Sequence, residues 1–242
     1  MTGWKIFSHS LFLLNHNLKD AVRISSPLIA MMAIGFAMGD GGTFAGETFD
    51  PAAGQSQNLL LQFLTGMAGL WVAVAWHRFV LLEEQGGLVP AFHGRRMLSY
   101  FFVLLLLTLM MTIAGGTAGG LVGILSGASG PIFIIGIVGI VAVAVWGFYR
   151  LSPLLPAAAL GQALGARSAW QATSEISGAV FLAAILLIFF FLLGAAAALL
   201  ILFQVSAVVG LVMLGVLQWV WTMAGISILT TIYGIAIERR PI

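Results

Sequence analysis

From Gly178 to Phe203 the chain runs without a single polar side chain. Wound as a helix, that stretch exceeds the roughly 20 apolar residues that cross the hydrocarbon of a bilayer. It is one of a series. Apolar blocks at about 24–39, 59–82, 97–125, 132–149, 178–203 and 207–237 are separated by short polar segments, which predicts six transmembrane helices. Composition agrees: 61% of the residues are hydrophobic and 7% charged, where a soluble domain is nearer half apolar and a quarter charged. A secreted globule, a cytosolic enzyme and a disordered tail are excluded.

The block boundaries carry recognisable signals. Ser126-Gly127-Ala128-Ser129-Gly130-Pro131 reads as a tight turn between the third and fourth spans. Gln204-Val205-Ser206, helped by Gly210, marks the weaker break between the last two. The first block is short and broken by Pro27, so it borrows length from the helix before it. No hydrophilic stretch is long enough for a second domain, so residues 1–242 are read as one integral membrane domain. Lys5 and the short run Leu11–Leu14 do not make a signal peptide, because Asn15, His16, Asn17, Lys19 and Asp20 follow, and the N-terminus is expected to be retained. Without cysteine there is no disulfide, thiol nucleophile or thiolate metal site.

Charge gives the orientation. Lys5, Lys19 and Arg23 precede the first span, Arg78 closes the second, and Arg95 and Arg96 follow it. Arg150 and Arg167 lie between the fourth and fifth spans, and Arg239 and Arg240 follow the sixth. With both termini cytoplasmic, all 10 Lys and Arg fall on the inner side, as the positive-inside rule requires. The loop after the first span carries Asp40, Glu47 and Asp50 and no basic residue. Five or seven spans would strand a basic group outside. The net charge of +2 is small, and no basic stripe interleaves with aromatics, so a nucleic-acid partner is not expected.

Two segments lie outside the spans. Over residues 4–22, Trp4, Phe7, Leu11, Leu14 and Leu18 recur at helical spacing, which predicts an interfacial amphipathic helix. Residues 154–177 contain Pro156, an alanine run, Arg167, Trp170 and Glu175, and read as a cytoplasmic helix or re-entrant elbow.

The residues suited to carry a function are few. Gly115, Gly119, Gly123 and Gly127 recur every fourth position, with Gly116 and Gly120 in a parallel row, and form a face on which another helix packs closely. Gln218 is the deepest polar side chain and is expected to make an interhelical hydrogen bond. Arg78, Arg95 and Arg96 form a candidate lipid-headgroup site or simple anchor at the inner leaflet. On an unbroken helix neither Arg78 with Glu83 nor His77 with Glu84 has ion-pair spacing. The four histidines are dispersed, with no ligand cluster for a metal. There is no catalytic motif, no phosphate loop and no carboxylate pair within a span, so neither enzyme activity nor a cofactor is expected. Ion-coupled transport lacks its usual mid-membrane charge.

Asn17-Leu18 before the first span, Trp-His-Arg-Phe over 76–79, Arg-Leu-Ser-x-x-Leu-Pro over 150–156 and Ala-Trp-Gln-Ala-Thr over 169–173 together give an order of pieces. That order resembles bacterial six-span proteins of the YciC type and the membrane domain found beside some glycerophosphodiester phosphodiesterases. The resemblance implies a bacterial inner-membrane protein and supplies no catalytic residues, since the phosphodiesterase domain is absent. The expected function is that of a non-enzymatic accessory, scaffold or assembly partner, bound to the bilayer and to a membrane-protein partner or its own copies. The alternative is a transporter or flippase-like lipid handler.

Overall fold

A computed structural model describes residues 2–37, 59–85, 87 and 89–241. All regular structure among them is helical: α1 Gly3–His16, α2 Leu18–Ile24, α3 Ser26–Ala37, α4 Leu59–Leu82, α5 Gly94–Ser126, α6 Gly130–Leu151, α7 Leu154–Leu160, α8 Ala166–Ala172, α9 Ser177–Gln204 and α10 Ala207–Ala236. Five helices are long and apolar enough to cross a membrane, and the pair α2 and α3 makes a sixth if taken as one span. That pair is bent by 63°. Pro27 explains the break, because its ring clashes with the carbonyl four residues back and it offers no N–H to the ladder. The acidic loop of Asp40, Glu47 and Asp50 lies outside the described residues.

The connections follow from local chemistry. α5 stops at Gly127, which adopts the left-handed conformation at φ 70°, a cap that costs glycine nothing. Ser129 and Pro131 then open α6, the proline inside the first turn where its missing N–H does no harm. Ser206 caps α10 by accepting a hydrogen bond from the backbone N–H of Val209 at 3.4 Å. The turn between α9 and α10 is so tight that a Cβ on Gly210 would lie 2.6 Å from the backbone nitrogen of Leu202.

Each long helix packs on the next in the order α4, α5, α6, α9, α10, and α10 returns to α4. At one end of this circuit α7 packs on α4, α5 and α10, with Leu155, Pro156, Ala157 and Ala159 buried. This end, where α4 and α10 finish and α5 and α9 begin, is called the base. Here α4 is buried on every side from Val72 to His77. At the distal end the helices are mostly open: α5 has no buried residue beyond Leu107, and Ile124 and Leu125 are 80% and 86% exposed. The elbow expected over 154–177 is resolved into α7, within the base, and α8, packed on α6.

α1 lies across α9 and α10. Its buried face is Gly3, Ile6, Phe7, Ser10 and Leu14. Phe7 and Leu14 belong to the apolar stripe expected from the sequence, whereas Trp4 and Leu18 of that stripe are 55% and 47% exposed. Gly3 is required by contact, since a Cβ there would sit 2.6 Å from the carbonyl oxygen of Ala179.

Candidate functional site

Among the described residues, the polar side chains that join one helix to another are mostly gathered in the base. His77 is fully buried on α4. Its Nδ1 lies 2.8 Å from Thr230 Oγ1, and Thr230 donates its only hydroxyl proton to the Ile226 carbonyl at 2.9 Å. Nδ1 therefore carries the proton, and Nε2 is left to accept from the Tyr100 hydroxyl at 3.5 Å. One ring thus links α4, α5 and α10.

Below it sits an ion cluster. α4 ends at Leu82, and Glu83 turns the chain back with φ 55°. Glu84 then meets Arg78 Nε at 2.6 Å and His93 Nε2 at 2.6 Å. Burial acts to raise the Glu84 pKa, but hydrogen bonds and charge from His93 and Arg78 prevail and hold it below its ordinary value. Arg78 also donates to the Ala159 carbonyl of α7 at 3.3 Å. The pairing needs the break after Leu82, which is why helical spacing alone does not reveal it.

Arg96 lies across the end of α7. A Cβ on Gly161 would fall 2.1 Å from its guanidinium carbon, and Gly161 has φ +79°. The left-handed backbone therefore calls for glycine, whereas the guanidinium, at the far end of a flexible side chain, can move aside. Of the three arginines considered as a headgroup site, Arg78 is engaged by Glu84, Arg96 covers α7, and Arg95 is exposed.

A second brace joins α6 to α8. Arg150 is buried, with its guanidinium 5.5 Å from the Trp146 ring centre and 4.2 Å from that of Trp170. Its Nε donates to Thr173 Oγ1 at 2.9 Å and its Nη2 to the Trp170 carbonyl. Three further bonds fasten the periphery. Ser10 on α1 donates to Thr231 on α10 at 2.9 Å. Trp219 on α10 donates to Ser25 at the α2–α3 bend at 2.7 Å. Arg240 donates to the Leu81 carbonyl at 3.0 Å. Two buried donors of the base, Trp76 Nε1 and Ser152 Oγ, have no partner among the described residues.

The glycine row lies elsewhere. Positions Gly115, Gly119 and Gly123 face Ile140, Ile137 and Phe133 of α6 at 3.7, 3.7 and 3.9 Å. Gly127 is the cap that ends α5 and packs on nothing within 4 Å. Gly116 and Gly120 have open space. Gln218 is exposed on α10, and among the described residues its side chain makes no hydrogen bond; only its carbonyl is used, by Thr222. The interhelical bond expected of it is not formed there.

Sequence reasoning did not reach the Arg150 box or the His93–Glu84 pair. Arg150 meets Trp170 and Thr173, 20 and 23 residues on, and Glu84 meets His93, 9 residues on across a non-helical segment; their one visible signal is that all sit where apolar runs stop. Among the described residues no three of His, Asp and Glu converge on a metal-sized site. Comparison with protein-family models, curated proteins and solved structures returned no match. Long apolar helices in this number are those of an all-helical, multi-pass membrane protein.

Proposed function

We propose that the chain is a six-span scaffold or assembly partner of a bacterial inner membrane, without catalysis of its own. One observation supports this above others. Arg78, Glu84, Arg150 and Arg240 of the base are engaged with one another or with helix ends, which suits holding helices in place rather than acting on a substrate. α7 occupies the space between α4, α5 and α10, where a solute path would have to open, and this favours a scaffold over a transporter. The base is the cytoplasmic end, because all 10 Lys and Arg belong to segments that meet there. α2 and α3 together are the first span, bent at Ser25, and α1 lies in the inner interface with Trp4 and Phe12 turned to lipid.

On this reading the open distal faces of α5 and α6 are the surface a protein partner covers. A photo-crosslinking residue at Ile134 or Val138, both exposed on α6, tests it in native membranes. The expected result is a reproducible protein adduct, either with one other membrane protein or with a second copy. Adducts with lipid alone would overturn the proposal.

A further inference from the structure

Between α1, α9 and α10 runs an apolar groove of about 290 Å³, walled by Trp4 and Leu11, Phe190 and Phe191, and Leu217 and Trp221. Phe191 and Trp221 form its back, their ring centres 4.4 Å apart. Phe7 stacks on Phe190 at 5.4 Å and fixes α1 as the floor.

The depth of the groove follows from helix geometry. The start of α1 is pressed against Ala179 and Leu182 in the first turns of α9. Phe190 lies further along α9 by about 16 Å, at 1.5 Å of rise per residue. Half the hydrocarbon of a bilayer is about 15 Å thick. The groove, whose α9 wall runs from Leu187 to Phe191, therefore reaches from α1 into one leaflet, towards the midplane. Lys5 follows Trp4 on α1, is exposed, and has no ion-pair partner among the described residues. An apolar slot that reaches towards the midplane, with an unpaired cation next in the chain to its lining residue Trp4, matches the charge and the shape of one lipid.

We infer that the groove binds one acyl chain of an anionic phospholipid of the cytoplasmic leaflet, with its phosphate at Lys5. The inference rests on the base being cytoplasmic and is independent of any protein partner on the distal faces. The bound lipid completes the packing of α1 on α9 and α10, where lipid tails otherwise supply no drive to associate.

The full chain is reconstituted in mixed phosphatidylglycerol and phosphatidylethanolamine vesicles with a trace of phosphatidylglycerol bearing a diazirine near the end of one chain. After irradiation, adducts are mapped by mass spectrometry. Labelling is expected to concentrate on the segments around Phe190 and Trp221, above the level at Ile134 and Val138 on the open face of α6. Lys5→Gln is expected to reduce the preference for phosphatidylglycerol over a phosphatidylcholine probe about fivefold, the weight of one cation at an anionic leaflet. Val220→Trp, which fills the slot, is expected to abolish groove labelling and leave α6 labelling intact. If that variant does not fold, the wild-type map and Lys5→Gln decide. Groove labelling no stronger than that of α6, or no preference between the two headgroups, overturns the inference. Either result leaves the distal-face crosslinks, and so the scaffold reading, unaffected.

Discussion

The two ends of the bundle are both rich in apolar residues and are packed in different ways. In the base, α10 is buried at every position from Ile226 to Gly234, while Val212 and Val216 on the same helix are exposed. Lipid tails are as apolar as leucine, so apolar surface alone does not draw helices together in a bilayer. What differs is the supply of hydrogen-bonding side chains. The base has His77, Arg78, Glu84, Tyr100, Arg150, Thr230 and Tyr233, and each reaches a group on another element or on a helix end. The distal part of α5 has threonines bonded back to their own helix, such as Thr117 to Ile113, and these hold nothing together. Polar contacts, then, rather than hydrophobicity, mark where this chain is tied.

That contrast can be broken in graded steps. The largest effect is expected from Arg150→Ala, which removes two charge-assisted hydrogen bonds and two cation–π contacts and frees α8. A loss of about 3 kcal/mol should appear in denaturation in detergent, with new protease cleavage near Arg167. Gly210→Ala comes next and tests whether the distal end tolerates everything. Its Cβ would meet the Leu202 backbone, so about 2 kcal/mol of overpacking cost is expected, even though no polar tie is touched. A distal end indifferent to this change would show that the α9–α10 turn is not held as described.

The ion cluster gives a smaller effect with a defined sign. The Glu84 pKa is lowered in the folded protein from an ordinary 4.5. Its contribution is therefore fully present above that value and is lost as pH falls through the folded value. Glu84→Gln should flatten the acid limb of a stability–pH profile and cost at most about 1 kcal/mol at neutral pH, given partial solvent screening. The smallest effect separates the two glycine rows. Gly116→Ala meets open space and should stabilise α5 by at most about 1 kcal/mol through helix propensity. Gly115→Leu, facing Ile140, should instead push α5 from α6, as read by crosslinking between the two helices.

Much of the fold is legible in the sequence because charge and turn residues punctuate it. Met97–Leu125 falls within α5, Gly94–Ser126, and 178–203 within α9, Ser177–Gln204. The candidate site is less legible. Glu84 pairs with Arg78 only because the chain reverses at Glu83, a change of direction no helical spacing contains. The facing of α1 is hidden because Ser10 and Gly3 look like poor core residues. They are buried because one finds Thr231 and the other allows α9 to come close. Arg150 reads as an anchor at a helix end until α8 brings Trp170 over it.

The docking of α1 also sets an order of construction. Ser10 and Thr231 are 221 residues apart in the chain, so α1 finds its seat only after α10 has been made. Until then α1 must wait with Ile6 and Phe7 uncovered. Closure of the base is consequently a late step of biogenesis, and one exposed to delay, since contacts of such separation form slowly. A chain halted before α10 would keep α1 adrift, a state that limited proteolysis of α1 during synthesis would reveal.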